Sequence, residues 1–135
     1  MADTLDLDPA LARRLEGLGR EFLVSILERE VERNAHNVDA LAELGHLYTR
    51  EGRHEDGLRV DRTLVRLLPH DATARYNLAC SLALTARIDD ALDELELSVE
   101  LGYRDASFLE GDSDLDALRG EERFRRLVER LTASA

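Results

Sequence analysis

Apolar positions recur every three or four residues along most of the chain, and no segment alternates with period two. Helices are therefore expected, and strands are not. The first run places Leu11, Leu15, Leu18, Phe22 and Ile26 at helical steps, after an acidic stretch (residues 1–8) expected to fray. Gly17 and Gly19 interrupt it, so a break is expected near them, with a second helix over about residues 20–34. Asn37 or Asp39 can cap the next helix, whose Leu41, Leu44, Leu47 and Tyr48 share a side. Glu51-Gly52-Arg53 turns the chain into a helix from about His54 to Leu68, with Leu58, Leu64, Val65 and Leu68 inward and Pro69 helping to end it. Asp71 caps a helix carrying Tyr76, Leu78, Ala79 and Leu82. Ala86-Arg87 turns into another, from about Asp89 to Leu101, which buries Ala91, Leu92, Leu95 and Val99 and stops at Gly102. Beyond it the spacing predicts a short helix near Ser107, an irregular or short helical turn over 111–116, and a last helix over 121–131. That last helix turns Phe124, Leu127, Val128 and Leu131 inward.

The two middle helix pairs repeat. A shift of 34 places His36 on His70, Ala40 on Ala74, Leu44 on Leu78, Arg53 on Arg87, Leu58 on Leu92 and Val65 on Val99. Small residues also meet: Gly45 with Ala79, Gly52 with Ala86, Gly57 with Ala91. A fixed period of this length marks a stacked helix–turn–helix array. Gly45 with Gly57, and Ala79 with Ala91, are expected where antiparallel helices touch closely. One pair cannot bury its own apolar face, so the flanking segments are expected to act as capping layers.

Composition narrows the function classes. The 135 residues suffice for one ordinary domain, and 44% hydrophobic content supports a core built from Leu and Ala, since only six aromatic residues are present. A net charge of −11 disfavours nucleic acid, anionic membrane surfaces and acidic peptides as partners. All 18 basic residues are arginine, for which no functional reason is visible. A single cysteine, Cys80, excludes an internal disulfide framework. No apolar run reaches a membrane span, and MADTLDLDPA does not read as a cationic, hydrophobic leader, so a cytoplasmic location is expected.

The middle of the chain resembles the tetratricopeptide repeat family. A repeat starting at Val38 puts Leu41, Leu44, Gly45, Tyr48, Gly57, Leu64 and Pro69 at signature positions; only Asp61, where an aromatic residue is usual, breaks the pattern. A repeat starting at Ala72 is looser, but Tyr76-Asn77-Leu78-Ala79 looks very like the family's first helix. Gly102-Tyr103-Arg104-Asp105, Asp112 to Asp116 and Arg123-Phe124 resemble the end-of-group segment that closes many bacterial arrays. The resemblance implies an all-α, right-handed superhelical solenoid of antiparallel helix pairs. It divides a single domain into a degenerate cap at 1–37, repeats at 38–71 and 72–105, and a C-terminal cap at 106–135.

In this family the first helix of each repeat lines a concave groove, which implies partner contacts through Asp39, Ala42, His46, Thr49 and Arg50, then Thr73, Tyr76, Cys80, Ala83 and Leu84, with Asn77 as a hydrogen-bonding neighbour. The second set is apolar for a surface, as interaction sites often are; alternatively, a terminal segment covers it. The carboxylate clamp that some members use for chaperone tails is not expected here. Asn77 matches one clamp position, but Ala42 and His46 stand where Lys and Asn belong.

Other clusters have plainer readings. Arg59, Arg62 and Arg66 are followed one repeat later by Asp93, Glu96 and Glu100, and neighbouring stripes are expected to pair weakly and set register. Arg119, Arg123, Arg126 and Arg130 form a basic stripe, with Glu122–Arg126 and Glu121–Arg125 pairs expected within it. Asp112, Asp114 and Asp116 mimic a calcium loop, but Ala117 and Arg123 replace its Gly and Glu, so helix capping is expected. The His and Cys residues lack metal-ligand spacing, and no phosphate loop or catalytic triad pattern is present. Cys80 would be a nucleophile only beside a histidine, with His46 the one candidate. The expectation is a non-catalytic adaptor, without metal or cofactor, that binds a peptide or partner helix. A self-associating scaffold or homo-oligomer is the alternative, with a secretion-type chaperone as its variant.

Overall fold

The computed structural model describes residues 8–134, and among them every regular element is helical. The fraying expected of the acidic N-terminus falls on residues mostly outside this range. Helix α1 spans Pro9–Arg33, α2 Val38–Arg50, α3 His54–Leu67, α4 Ala72–Leu84 and α5 Ile88–Glu100. A short α6 (Ala106–Gly111), a 3-10 helix (Ser113–Leu118) and α7 (Glu122–Ala133) follow.

The repeat is visible at single hydrogen bonds. Asn37 Oδ1 accepts from the Ala40 amide at 3.1 Å, and 34 residues later Asp71 Oδ1 accepts from the Ala74 amide at 2.8 Å, so both repeats open on a side-chain cap. Each first helix closes through a left-handed residue, Gly52 (φ 74°) and its counterpart Ala86 (φ 60°). The amide of the next residue then reaches back, Arg53 to the Tyr48 carbonyl and Arg87 to that of Leu82, both at 2.8 Å. Gly102 (φ 120°) ends α5 in the same manner.

Helices α2 with α3 and α4 with α5 form the two pairs, and α3 also packs on α4, so successive pairs stack into a helical solenoid. Leu41, Leu44, Leu47, Tyr48, Val60 and Leu64 build one apolar cluster, onto which α1 places Val24. The larger cluster runs from Leu58 and Val65 through α4 and α5 to Leu109, Leu115, Leu118, Phe124, Leu127 and Leu131. Residues 106–133 are thus fastened to the last repeat by burial.

Three expectations are corrected. Gly17 and Gly19 do not break α1. Neither takes a positive φ, and a helical glycine costs only about 1 kcal/mol relative to alanine, which weakens a helix without stopping it. The Asp8 cap and Pro9 at the first turn start one helix of 25 residues. Second, Gly57 is not forced by close packing: a methyl group there would sit 3.7–3.8 Å from Thr49, Ser81 and Tyr48, ordinary contact. Gly45 is tighter, with Asp61 Oδ1 3.3 Å from the position of a Cβ. Third, the stripes on α3 and α5 do not pair with each other. Arg123 of α7 takes both Asp93 and Glu96, at 2.7 and 2.8 Å, while Arg59 turns to Asp56 within its own helix. Of the pairs expected in α7, Glu122–Arg126 forms at 2.7 Å, whereas Arg125 donates to the Gly120 carbonyl at 3.3 Å.

Candidate functional site

The first helices of the two repeats, α2 and α4, wall a cleft of about 630 Å³. Its third side comes from the C-terminal segment through Tyr103, Phe108, Asp112 and Asp114. Of the residues nominated from sequence, His46, Thr49, Arg50, Thr73, Tyr76, Asn77 and Cys80 line it; Asp39 and Leu84 lie outside its walls. His46, Arg50 and Thr73 are exposed, and Thr49 and Asn77 are half-buried.

Tyr76 is 4% exposed. The ring of Tyr103 stacks on it with centroids 4.5 Å apart, and Phe108 leans in at 5.9 Å. Its hydroxyl donates to Asp112 Oδ2 at 2.5 Å. Burial, followed by that hydrogen bond, pushes the phenol above its ordinary range. Tyr76 is therefore a floor that the C-terminal segment partly covers, while Phe108, 54% exposed, presents its own ring to the opening.

Asp112 is a hub. Its Oδ1 accepts the Asp114 amide at 3.0 Å and so caps the 3-10 helix, while Oδ2 takes the Tyr76 hydroxyl and faces the Cys80 thiol at 3.8 Å. The capping reading of this aspartate cluster matches that geometry. The Cys80, Asp112 and Asp114 donor atoms lie within 4.8 Å of one another, close enough to share a metal ion by distance. Two of them already share hydrogen bonds, and burial with the charges of Asp112 and Asp114 raises the thiol pKa, the reverse of an activated nucleophile.

Sequence reasoning missed the residue with the most unusual surroundings. Asp61, on α3, is 7% exposed and stands in the cleft wall. Ser81 of α4 donates to its Oδ2 at 2.5 Å. Burial raises its pKa from 3.8 to about 6, against the opposing effects of the Ser81 hydroxyl and His46. The signal was present as the one departure from the repeat pattern, although a carboxylate in an aromatic slot does not announce its neighbours.

No protein-family model and no curated protein matches the sequence. Solved structures do. A crystal structure of MamA superposes with a TM-score of 0.71 over 96% of this chain and 75% of that one, at 19% identity. MamA from Desulfovibrio magneticus RS-1, residue 41 to the end, gives 0.66 over 89% and 71%, at 17% identity. A third, MamA MSR-1 C2, gives 0.66 over 90% and 72%, at 15% identity. The fold is shared with MamA, a tetratricopeptide-like helical solenoid. At such identities the likeness concerns the fold alone.

Proposed function

We propose that this chain is a non-catalytic adaptor whose concave cleft between α2 and α4 receives a peptide segment or partner helix. The carrying observation is the cleft itself, open among the described residues and lined on both faces by hydrogen-bonding side chains. His46, Thr49 and Arg50 face it from one repeat, and Thr73 and Asn77 from the next. The aromatic shelf of Tyr103 and Phe108 adds an apolar contact of the kind that anchors partners. The raised thiol pKa of Cys80 agrees with a role other than catalysis. Affinity capture from the native cell tests this reading, comparing wild type with His46→Trp/Asn77→Trp, which fills the cleft, and Arg62→Glu on the exposed side of α3. Loss of the same partner from the cleft variant alone is expected; capture unaffected by it contradicts the proposal.

A second reading, self-association, rests on a different face. Leu11, Leu15, Leu18, Phe22 and Ile26 are all exposed on α1, with Leu23 beside them, although their spacing is that of a buried stripe. Helix α1 packs on the body through Val24, Leu27 and Val31 instead. Exposed apolar surface of this extent marks an interaction site, and a second copy offers the same stripe in return.

A further inference from the structure

We propose that the concave cleft selects a partner carrying an arginine side chain, whose guanidinium sits against Asp61 Oδ1 in a cleft that Asp112 and Asp114 also line. This rests on the cleft being the partner site and adds the chemistry of what enters it. Three observations converge. Asp61 is 7% exposed, and its hydrogen bond from Ser81 engages Oδ2 alone. Oδ1 faces the Gly45 side of the cleft, where a Cβ would lie 3.3 Å from it, and takes no donor among the described residues. A carboxylate so placed has an oxygen open to the cleft, and a guanidinium supplies charge and a donor together.

The remaining walls agree. Glu43, Asp112 and Asp114 bring three more carboxylates to the cleft against one arginine, Arg50. Asp112 and Asp114 reach it from the C-terminal segment and add their charge to the same cleft that Asp61 lines. The exposed ring of Phe108 and the half-buried ring of Tyr103 provide faces over which a planar cation stacks. Lysine has the charge but neither the planar fork that matches a carboxylate nor the plane that stacks. An acidic tail, the ligand of the carboxylate clamp, meets more carboxylates than cations there.

The test uses the full chain, labelled with ¹⁵N, in buffer containing EDTA. The probes are a seven-residue alanine–leucine peptide carrying one central arginine and the same peptide carrying neutral, isosteric citrulline. The arginine peptide is expected to shift the amides of His46, Asn77 and Ser81 and to bind about tenfold or more tightly than its twin, the worth of one charged hydrogen bond. Asp61→Asn keeps an acceptor for Ser81 and is expected to abolish the difference; Asp114→Asn is expected to reduce it, and stands alone if the first variant does not fold. Equal binding of both peptides in the cleft overturns the arginine preference and leaves the cleft as partner site. Shifts elsewhere, or none with either peptide, overturn both.

Discussion

Tyr103 lies flat on Tyr76, with planes 7° from parallel, and so joins the C-terminal segment to the floor of the cleft. Tyr103→Ala removes the stacking and uncovers the Tyr76 ring. Its cost is expected at about 1–3 kcal/mol, from stacking plus lost burial. Urea denaturation measures the loss, and amide exchange is expected to quicken across residues 106–118 before the rest of the chain. Unchanged stability with unchanged exchange would show that this contact fastens nothing.

Asp61 gives stability an unusual dependence on pH. Its folded-state pKa, about 6, lies above its ordinary 3.8, so the folded chain holds the proton more tightly than the unfolded chain. That contribution is fully present below the unfolded value and is lost as pH rises through 6. The groups facing the carboxyl are Ser81 and Cys80 on α4 and His46 on α2. Relative to Asp61→Asn, wild type is expected to gain about 1–3 kcal/mol between pH 7 and pH 4. Denaturant unfolding of both proteins across that window checks it; a constant difference contradicts the burial of an ionisable carboxyl.

Three small residues are expected to respond in different directions. Gly57→Ala places a methyl group in ordinary contact and removes a helical glycine, raising stability by about 0.5–1 kcal/mol. Ala86→Gly relieves a left-handed alanine and is expected to gain a similar amount. Gly45→Leu drives side-chain atoms toward Asp61 and Val60 and is expected to cost about 1–3 kcal/mol. Thermal unfolding of the three variants decides; a destabilised Gly57→Ala would mean that the helices approach there more closely than described.

The exposed stripe of α1 predicts concentration dependence. Sedimentation velocity of the wild type is expected to show association as concentration rises, and Leu18→Glu/Phe22→Glu, which alters two exposed side chains, is expected to remain monomeric. A wild type that stays monomeric throughout removes the scaffold reading.

The helices and caps of residues 38–101 were legible because local rules govern them. Asn37 and Asp71 sit where capping requires a short acceptor, and apolar spacing does the rest. Helix α1 was less legible: two glycines signal a break, but a continuous hydrogen-bonded ladder outweighs about 2 kcal/mol of propensity. The cover over Tyr76 was legible only as an alternative to an open surface, since Tyr103 and Asp112 come from 27 and 36 residues downstream. The same holds for Arg123, whose acidic partners are 27 and 30 residues away in sequence. Asp61 was visible as an exception, but its meaning depends on Ser81, contributed by the next repeat.

Site-specific photocrosslinking in the native cell tests the partner-binding cleft most directly. A benzophenone amino acid replaces Thr73 at the cleft, and in a second strain Arg62 on the outer side of α3; both are exposed. A discrete crosslinked partner from position 73 and none from position 62 is the outcome that an adaptor cleft requires. The same partner crosslinked from position 62 alone, with position 73 silent, would place binding on the opposite face and contradict it.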